Sequence, residues 1–352
     1  MTDRIRIALL ATTALFAGAA VTAGTAQAQE VIFAHGSNPG NPRYVAADKW
    51  AEEFTACAGE GYSVNVAPSA TMGDDVEMLT SAAAGVIQVT ANSQGAMSQI
   101  VPEIGLLGLP FLFQDLPSAW TVLDGEVGEM LDERAQNAGL KILGFWDNGI
   151  RNITHTEKAV PEPADLDGMK IRTPPDQMTI DIFEALGASP APLAWSELPS
   201  ALQSGVFDGQ ENPLTNIYTA KLHTITPYVT LTGHKYESTP VVAGLAWWSG
   251  LDGEIQNCLI EATAEAGKLQ RQLSQEGDET LRPKMEAEGA TFADADREAY
   301  QSGGHARGLP RVFRARGMGH ECRGAGARLQ HLVDQTIFHC LSAAHEAITI
   351  GI

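Results

Sequence analysis

Basic residues are scarce in this chain. Its 352 residues carry 23 lysines and arginines against 43 acids, a formal net charge of −20, with no run of Lys or Arg. A nucleic-acid footprint needs clustered cations, so no nucleic acid is expected as a partner. Four cysteines are too few for a disulfide scaffold. Cys57 falls late in the first predicted helix and Cys258 in a long C-terminal one; an oxidising compartment permits them to pair, but sequence alone leaves the pairing open. No stretch beyond the N-terminus is apolar for the length a spanning helix needs. A G-x-S-x-G elbow and a Cys/His pair in context are missing, and His35, His155, His223 and His234 lack metal-ligand spacing. No metal or cofactor is expected.

What is present begins with an export signal. Arg4 and Arg6 precede an uncharged apolar run from Ile7 to Ala23, and Ala26-Gln27-Ala28 supplies a small-x-small cleavage site. The run is rich in Ala, Gly and Thr, unlike a membrane anchor, so residues 1–28 are read as a signal peptide with a mature start at Gln29. The remainder is long enough for two domains with sizeable cores.

Strand and helix alternate along it. Short strands are predicted at Val31–Ala34 and Val64–Ala67, and a helix at Arg43–Ala56 with Tyr44, Ala47, Trp50, Ala51 and Phe54 at three-to-four spacing. A further helix is expected over Ser118–Ala138. Strands at Lys141–Trp146 and Asn152–Thr156, flanking Asp147–Arg151, are expected to cross to a second domain. Tyr228–Thr232 and Val241–Trp247 are expected to cross back, before a long helix from Leu251 to about Glu288. Alternation with two crossovers predicts an α/β protein of two lobes around a cleft.

Residues 168–213 carry the chemistry. Arg172 closes a short apolar strand, Trp195 follows a second strand, and Asn212 follows a third. Strand ends of an open α/β sheet converge on a ligand crevice. One fixed cation beside an aromatic and an amide suits a small organic carboxylate, and no nucleophile with its base accompanies them. Gly85–Asn92 (GVIQVTAN) and Gly205–Asn212 (GVFDGQEN) each follow a helical stretch and end in an asparagine, as two similarly built domains would. A common helix–Gly–strand connection explains the pair equally well. In so acidic a chain, an acid-binding site must hold its cations locally, which draws attention to Arg151 and Arg172.

The runs D-L-D-G-M-K-I-R-T-P, A-L-G-A-S-P-A-P-L-A-W-S-E-L and G-V-F-D-G-Q-E-N-P, with M-G-D-D at Met72–Asp75 and T-G-H-K-Y at Thr232–Tyr236, resemble a known family. It is the solute-binding subunit of tripartite ATP-independent periplasmic (TRAP) transporters, of the dicarboxylate/sialic-acid-binding type. The resemblance implies a bilobed periplasmic-binding-protein-like fold, with lobe 1 over 29–150 plus about 238–275 and lobe 2 over 151–237 plus about 276–301. It further implies a protein that is no enzyme. Such a protein sits in the periplasm, binds a small organic acid (a C4-dicarboxylate, a sugar acid or a related carboxylate) and delivers it to TRAP membrane permease subunits. By the same resemblance Arg172 pairs bidentately with the ligand carboxylate, Asn212 bonds the same end, Arg151 contacts the ligand or its hydroxyls, and Trp195 lines the pocket. Asn92 and one of Asp74 or Asp75 fall at contact positions in the first domain. The chain departs from the family in its first loop, where Asn41-Pro42 replaces a frequent His-Pro and His35 lies upstream. A periplasmic enzyme acting on a carboxylic acid and a receptor of an ATP-driven or signalling system are the alternatives.

The C-terminus breaks the pattern. Ser302 to Ile352 holds six Arg, no Lys, five of the nine His and two of the four Cys. The family ends in a long amphipathic helix that Gly303–Gly326 cannot supply. Ser302 onward, read one nucleotide later, can encode Pro-Ala-Val-Thr-Pro-Val-Val-Tyr-Arg-Glu, which resembles that helix, so a reading-frame change near Gln301–Ser302 is expected. The alternative is a natural His/Arg-rich tail, in which His305, His320, Cys322, His331, His339 and Cys340 invite a metal reading.

Overall fold

The computed structural model describes residues 28–307 apart from Gln114. The expected signal peptide and all but the first few residues of the expected aberrant tail lie outside the described residues.

From the N-terminus, β1 (Gln29–His35), α1 (Pro42–Ala58), β2 (Tyr62–Ala67), α2 (Asp75–Ala83), β3 (Val89–Ala91), α3 (Gln94–Met97), α4 (Leu116–Leu123) and α5 (Glu126–Asn137) lead to a long strand, β4 (Leu140–His155). Then follow β5 (Lys170–Thr173), α6 (Gln177–Ala185), β6 (Ser189–Pro192), α7 (Leu198–Gln203), β7 (Gly209–Pro213), α8 (Leu214–Thr219) and a second long strand, β8 (Tyr228–Gly244). The described chain closes with α9 (Leu245–Ser249), α10 (Gly253–Ala287), β9 (Thr291–Asp294) and α11 (Arg297–Arg307).

Among the described residues the strands form one sheet in the order β2-β1-β3-β8-β4-β7-β5-β6, with β9 beside β8. At one end β1 pairs in parallel with β2 and β3; at the other β5 pairs in parallel with β6 and β7. The antiparallel pair β4–β8 joins these halves. Sequence suggested two separate strands at each crossing; each pair is one continuous strand. Register shifts interrupt the β4–β8 ladder between Ile142 and Gly144, Asp147 and Gly149, and Arg151 and Ile153. Such bulges bend a strand without ending it and re-aim the side chains beside them, so Asp147, Asn148 and Arg151 fall where the halves meet.

Helix α1 starts where Asn41 accepts a hydrogen bond from Arg43 N at 2.9 Å with Pro42 in the first turn, and it buries Ala46, Ala47, Trp50 and Phe54. The buried stripe of α10 recurs every three or four residues from Ile255 to Met285, and the helix is long enough to run beside both halves of the sheet. A bridge joins Cys57 of α1 to Cys258 of α10, settling the pairing that sequence left open. The helix expected over Ser118–Ala138 is split into α4 and α5 at Asp124–Gly125, and Leu245–Trp247 begins α9 rather than extending β8.

The expected tail begins inside α11, which runs through Gly303 and Gly304 to Arg307, and the rest of that tail lies outside the described residues. The start of α11 explains this run: Ala299 N donates to Asp296 Oδ1 at 2.9 Å, and buried Tyr300 donates its hydroxyl to Val160 O at 2.7 Å. A helix already nucleated tolerates glycine at about 1 kcal/mol each.

Candidate functional site

A cleft of about 490 Å³ opens where the two halves of the sheet meet. Arg172, Asn212, Trp195, Arg151, Asp74 and Asp75 all line it. Arg172 stands near the end of β5 and is 2% exposed. Its Nε donates to Leu193 O at 2.9 Å, and Nη2 donates to the same oxygen. No carboxylate lies within 4.0 Å of it among the described residues. Burial draws its pKa down to about 10, against the opposing pull of Glu211. It is a cation taken from water and given no counter-ion by the protein.

Arg151, 1% exposed, is the opposite case. Its Nε donates to Glu211 Oε2 and its Nη1 to Glu237 Oε2, while Nη2 reaches Glu211 Oε1 at 2.7 Å and Asn212 Oδ1 at 3.2 Å. Burial opposes its charge, but Glu211 and Glu237 outweigh that and raise its pKa. In turn the Glu211 carboxyl, which burial alone would raise, is held down to about 2 by Arg151 and His234. The sequence placed Arg151 as a ligand contact; the structure has most of its guanidinium committed to the floor of the cleft.

Asn212 adjoins that floor, accepting from Arg151 and from Asn216 Nδ2 (3.2 Å) while its own amide donates to Gln210 Oε1. Asp75 accepts from Ser93 N at 3.0 Å and Ser93 Oγ at 2.7 Å. Asp74 reaches across the cleft, where Ser196 Oγ donates to its Oδ2 at 2.6 Å and Ser196 N to its Oδ1 at 3.3 Å. Asn92 is fully buried and does not line the cleft. Its amide sits behind Asp75, 2.7 Å from Thr90 Oγ1, and turned with its nitrogen toward Asp75 Oδ1 it meets that atom at 3.0 Å. His35 is also buried; its Nδ1 accepts from Ser37 N at 3.1 Å, and burial with nearby Arg43 lowers its pKa to about 3.

Sequence reasoning missed Arg43, Asn148, Asn216 and Glu237, all of which line the cleft. Asn148 Oδ1 accepts from Arg43 Nη2 (3.2 Å) and Asn216 Nδ2 (2.9 Å), and its Nδ2 donates to Glu237 Oε2 at 3.0 Å. Their only signals in the sequence were neighbours: Asn148 lies within Asp147–Arg151, Glu237 follows the T-G-H-K-Y run, and Arg43 follows Asn41-Pro42. The described lining thus sets guanidiniums and amides beside carboxylates, two of which accept from serine hydroxyls.

The family model for bacterial extracellular solute-binding protein, family 7 (DctP), matches residues 33–305. The chain belongs to this family. It is 47% identical over 267 residues to protein y4mM of Sinorhizobium fredii, a match covering 76% of this chain but only 49% of that longer protein. It is 32% identical over 283 residues to the 2,3-diketo-L-gulonate-binding periplasmic protein YiaO of Escherichia coli, covering 80% and 86% of the two chains. Among solved structures, a TRAP periplasmic solute-binding protein of Roseobacter denitrificans with bound L-galactonate superposes with a TM-score of 0.78 at 30% identity, covering 86% of this chain and 99% of that one. The bilobed α/β fold expected from sequence is thus that of the family. The family is one of extracellular solute-binding proteins, YiaO and the Roseobacter protein are named as such, and this chain is by family a binding protein rather than an enzyme.

Proposed function

We propose that the protein is the periplasmic solute-binding subunit of a TRAP transporter, which holds a small organic acid by its carboxylate on Arg172 and delivers it to the membrane permease subunits. Arg172 carries this reading: it lines the cleft, is buried, and lacks a protein carboxylate. A guanidinium fork matches two carboxylate oxygens and keeps its charge on burial. The similar YiaO is named for a sugar-derived acid, and the Roseobacter structure holds one. Ligand contacts from both halves of the sheet would favour the closed cleft, with β4 and β8 as the hinge between lobes divided as the sequence suggests. Export to the periplasm through residues 1–28 completes the proposal.

Calorimetry against a panel of sugar acids and C4-dicarboxylates tests it. Arg172→Ala should weaken the preferred acid roughly a hundredfold to a few thousandfold, the equivalent of ~3–5 kcal/mol for a desolvated charge without its partner. Near-wild-type affinity in that variant would overturn the anchor.

A further inference from the structure

Arg43 lines the same cleft from the start of α1, on the opposite half of the sheet from Arg172. It is 6% exposed, and its Nη2 donates to Asn148 Oδ1 at 3.2 Å and Thr239 Oγ1 at 2.8 Å. Its Nε is enclosed with no acceptor, and no carboxylate lies within 4.0 Å of the side chain among the described residues. Burial lowers its pKa, with Asp75 and Glu237 only partly offsetting that. Of the carboxylates lining the cleft, Glu197 is exposed, and the more buried ones already have protein donors. Asp74 takes Ser196, Asp75 takes Ser93, and Glu237 takes Gly95 N at 2.9 Å, Asn148 and Arg151. Two guanidiniums, Arg43 and Arg172, are left with neutral partners only, which do not offset the burial of a cation.

We infer that Arg43 is a second ligand-binding residue, donating to an oxygen acceptor of the acid other than the carboxylate held by Arg172. The inference rests on the reading of Arg172 given above. A cavity of about 490 Å³ has room for more than one carboxylate. An acid several carbons long, with a second oxygen group away from its carboxylate, meets both guanidiniums. That second group is either the other carboxylate of a dicarboxylate or a hydroxyl or keto oxygen of a sugar acid.

Carbon-matched probes distinguish these cases: succinate against butyrate, and L-galactonate against hexanoate. Wild-type protein should bind one oxygenated acid at least ~10-fold tighter than its plain partner, since a hydrogen bond to a charged group is worth roughly ten- to a hundredfold. Arg43→Gln should remove most of that preference while changing affinity for the plain acid less than about threefold. Arg43→Lys should restore part of it. Whichever pair loses its preference identifies the second group. If Arg43→Gln weakens plain and oxygenated acids alike, or leaves the preferred acid untouched, Arg43 only ties α1 to β4 and β8 and the inference fails. Should that variant not fold, the wild type still decides: equal affinity for plain and oxygenated acids, or binding to neither oxygenated probe, overturns it. Arg172→Ala should weaken all probes together. Its retention of binding would sink the carboxylate anchor instead, leaving the Arg43 result to be read separately.

Discussion

Arg151 and Arg172 share one cleft and nearly the same burial, yet their environments push them in opposite directions. The floor gives Arg151 two carboxylates, Glu211 and Glu237, and its charge is held more firmly than in water. The wall gives Arg172 only a carbonyl, and its charge is held less firmly. A protein that needs a buried cation for its own architecture supplies the counter-ions. Where it withholds them, as at Arg172, the cation is left available to an outside anion, as the proposed function requires.

The comparison breaks most visibly in stability without ligand. Arg151→Met leaves two buried carboxylates facing each other, and breaking a buried pair in this way costs about 3–5 kcal/mol. Arg172→Met removes a cation whose burial is uncompensated, so the free protein should be unchanged or more stable, by up to ~3 kcal/mol. Urea unfolding of both variants measures the contrast. Equal destabilisation by the two substitutions would mean that Arg172 is as structural as Arg151.

The same logic shows why some of this site was legible in the sequence and some was not. Arg172, Trp195 and Asn212 lie within one short segment whose strand–turn–helix pattern fixes their position, so a local reading reached them. The two Gly-to-Asn stretches are alike in backbone, with Gly85 at φ 79° and Gly205 at φ 73° beginning each turn. Their asparagines nevertheless diverge, because Asp75 and Ser93 stand between Asn92 and the cleft. Arg43 was invisible for a related reason. Its partners Asn148 and Thr239 come from β4 and β8, distant in sequence, and only the pairing of those strands brings them together. Cys57 and Cys258, 201 residues apart, meet through the packing of α1 on α10, which no local pattern announces.

A second pair of buried acids sharpens the comparison through pH. Glu211 is depressed to about 2, so its contribution to stability is full above the ordinary carboxyl value of 4.5 and is lost as pH falls toward 2, roughly 3 kcal/mol in all. Asp147 is raised to about 6 because burial outweighs its bonds from Trp120 and Tyr236. Its contribution is full below the ordinary 3.8 and is lost as pH rises through 6, about 2–3 kcal/mol. Glu211 and His35, whose pKa burial lowers to about 3, both predict a fall in stability on the acid side toward pH 2–3. Denaturation midpoints from pH 2 to 8 should show it, and Glu211→Gln should flatten the acid side in part while leaving the Asp147 side. An acid side unchanged in that variant would mean that Arg151 does not hold Glu211 down.

The smallest effect should come from the rim, where charge is exposed and solvent supplies what the protein does not. Asp74 was expected from sequence as a possible ligand contact, but its carboxylate is taken by Ser196 across the cleft and its backbone N–H by Glu77 Oε2 at 3.0 Å. This pair bridges the two halves of the sheet and would serve as a latch if the cleft opens and closes. Ser196→Ala removes the hydroxyl bond and keeps the backbone one, so the loss is on the order of 0.5–1 kcal/mol in a solvated setting. A latch that forms only when the cleft is closed slows release and leaves entry alone. Stopped-flow binding of the preferred acid should therefore show dissociation about two- to fivefold faster, with an unchanged association rate and an unchanged urea midpoint. A slower association rate instead would place Ser196 in the encounter with ligand, and Asp74 would return to the list of direct contacts.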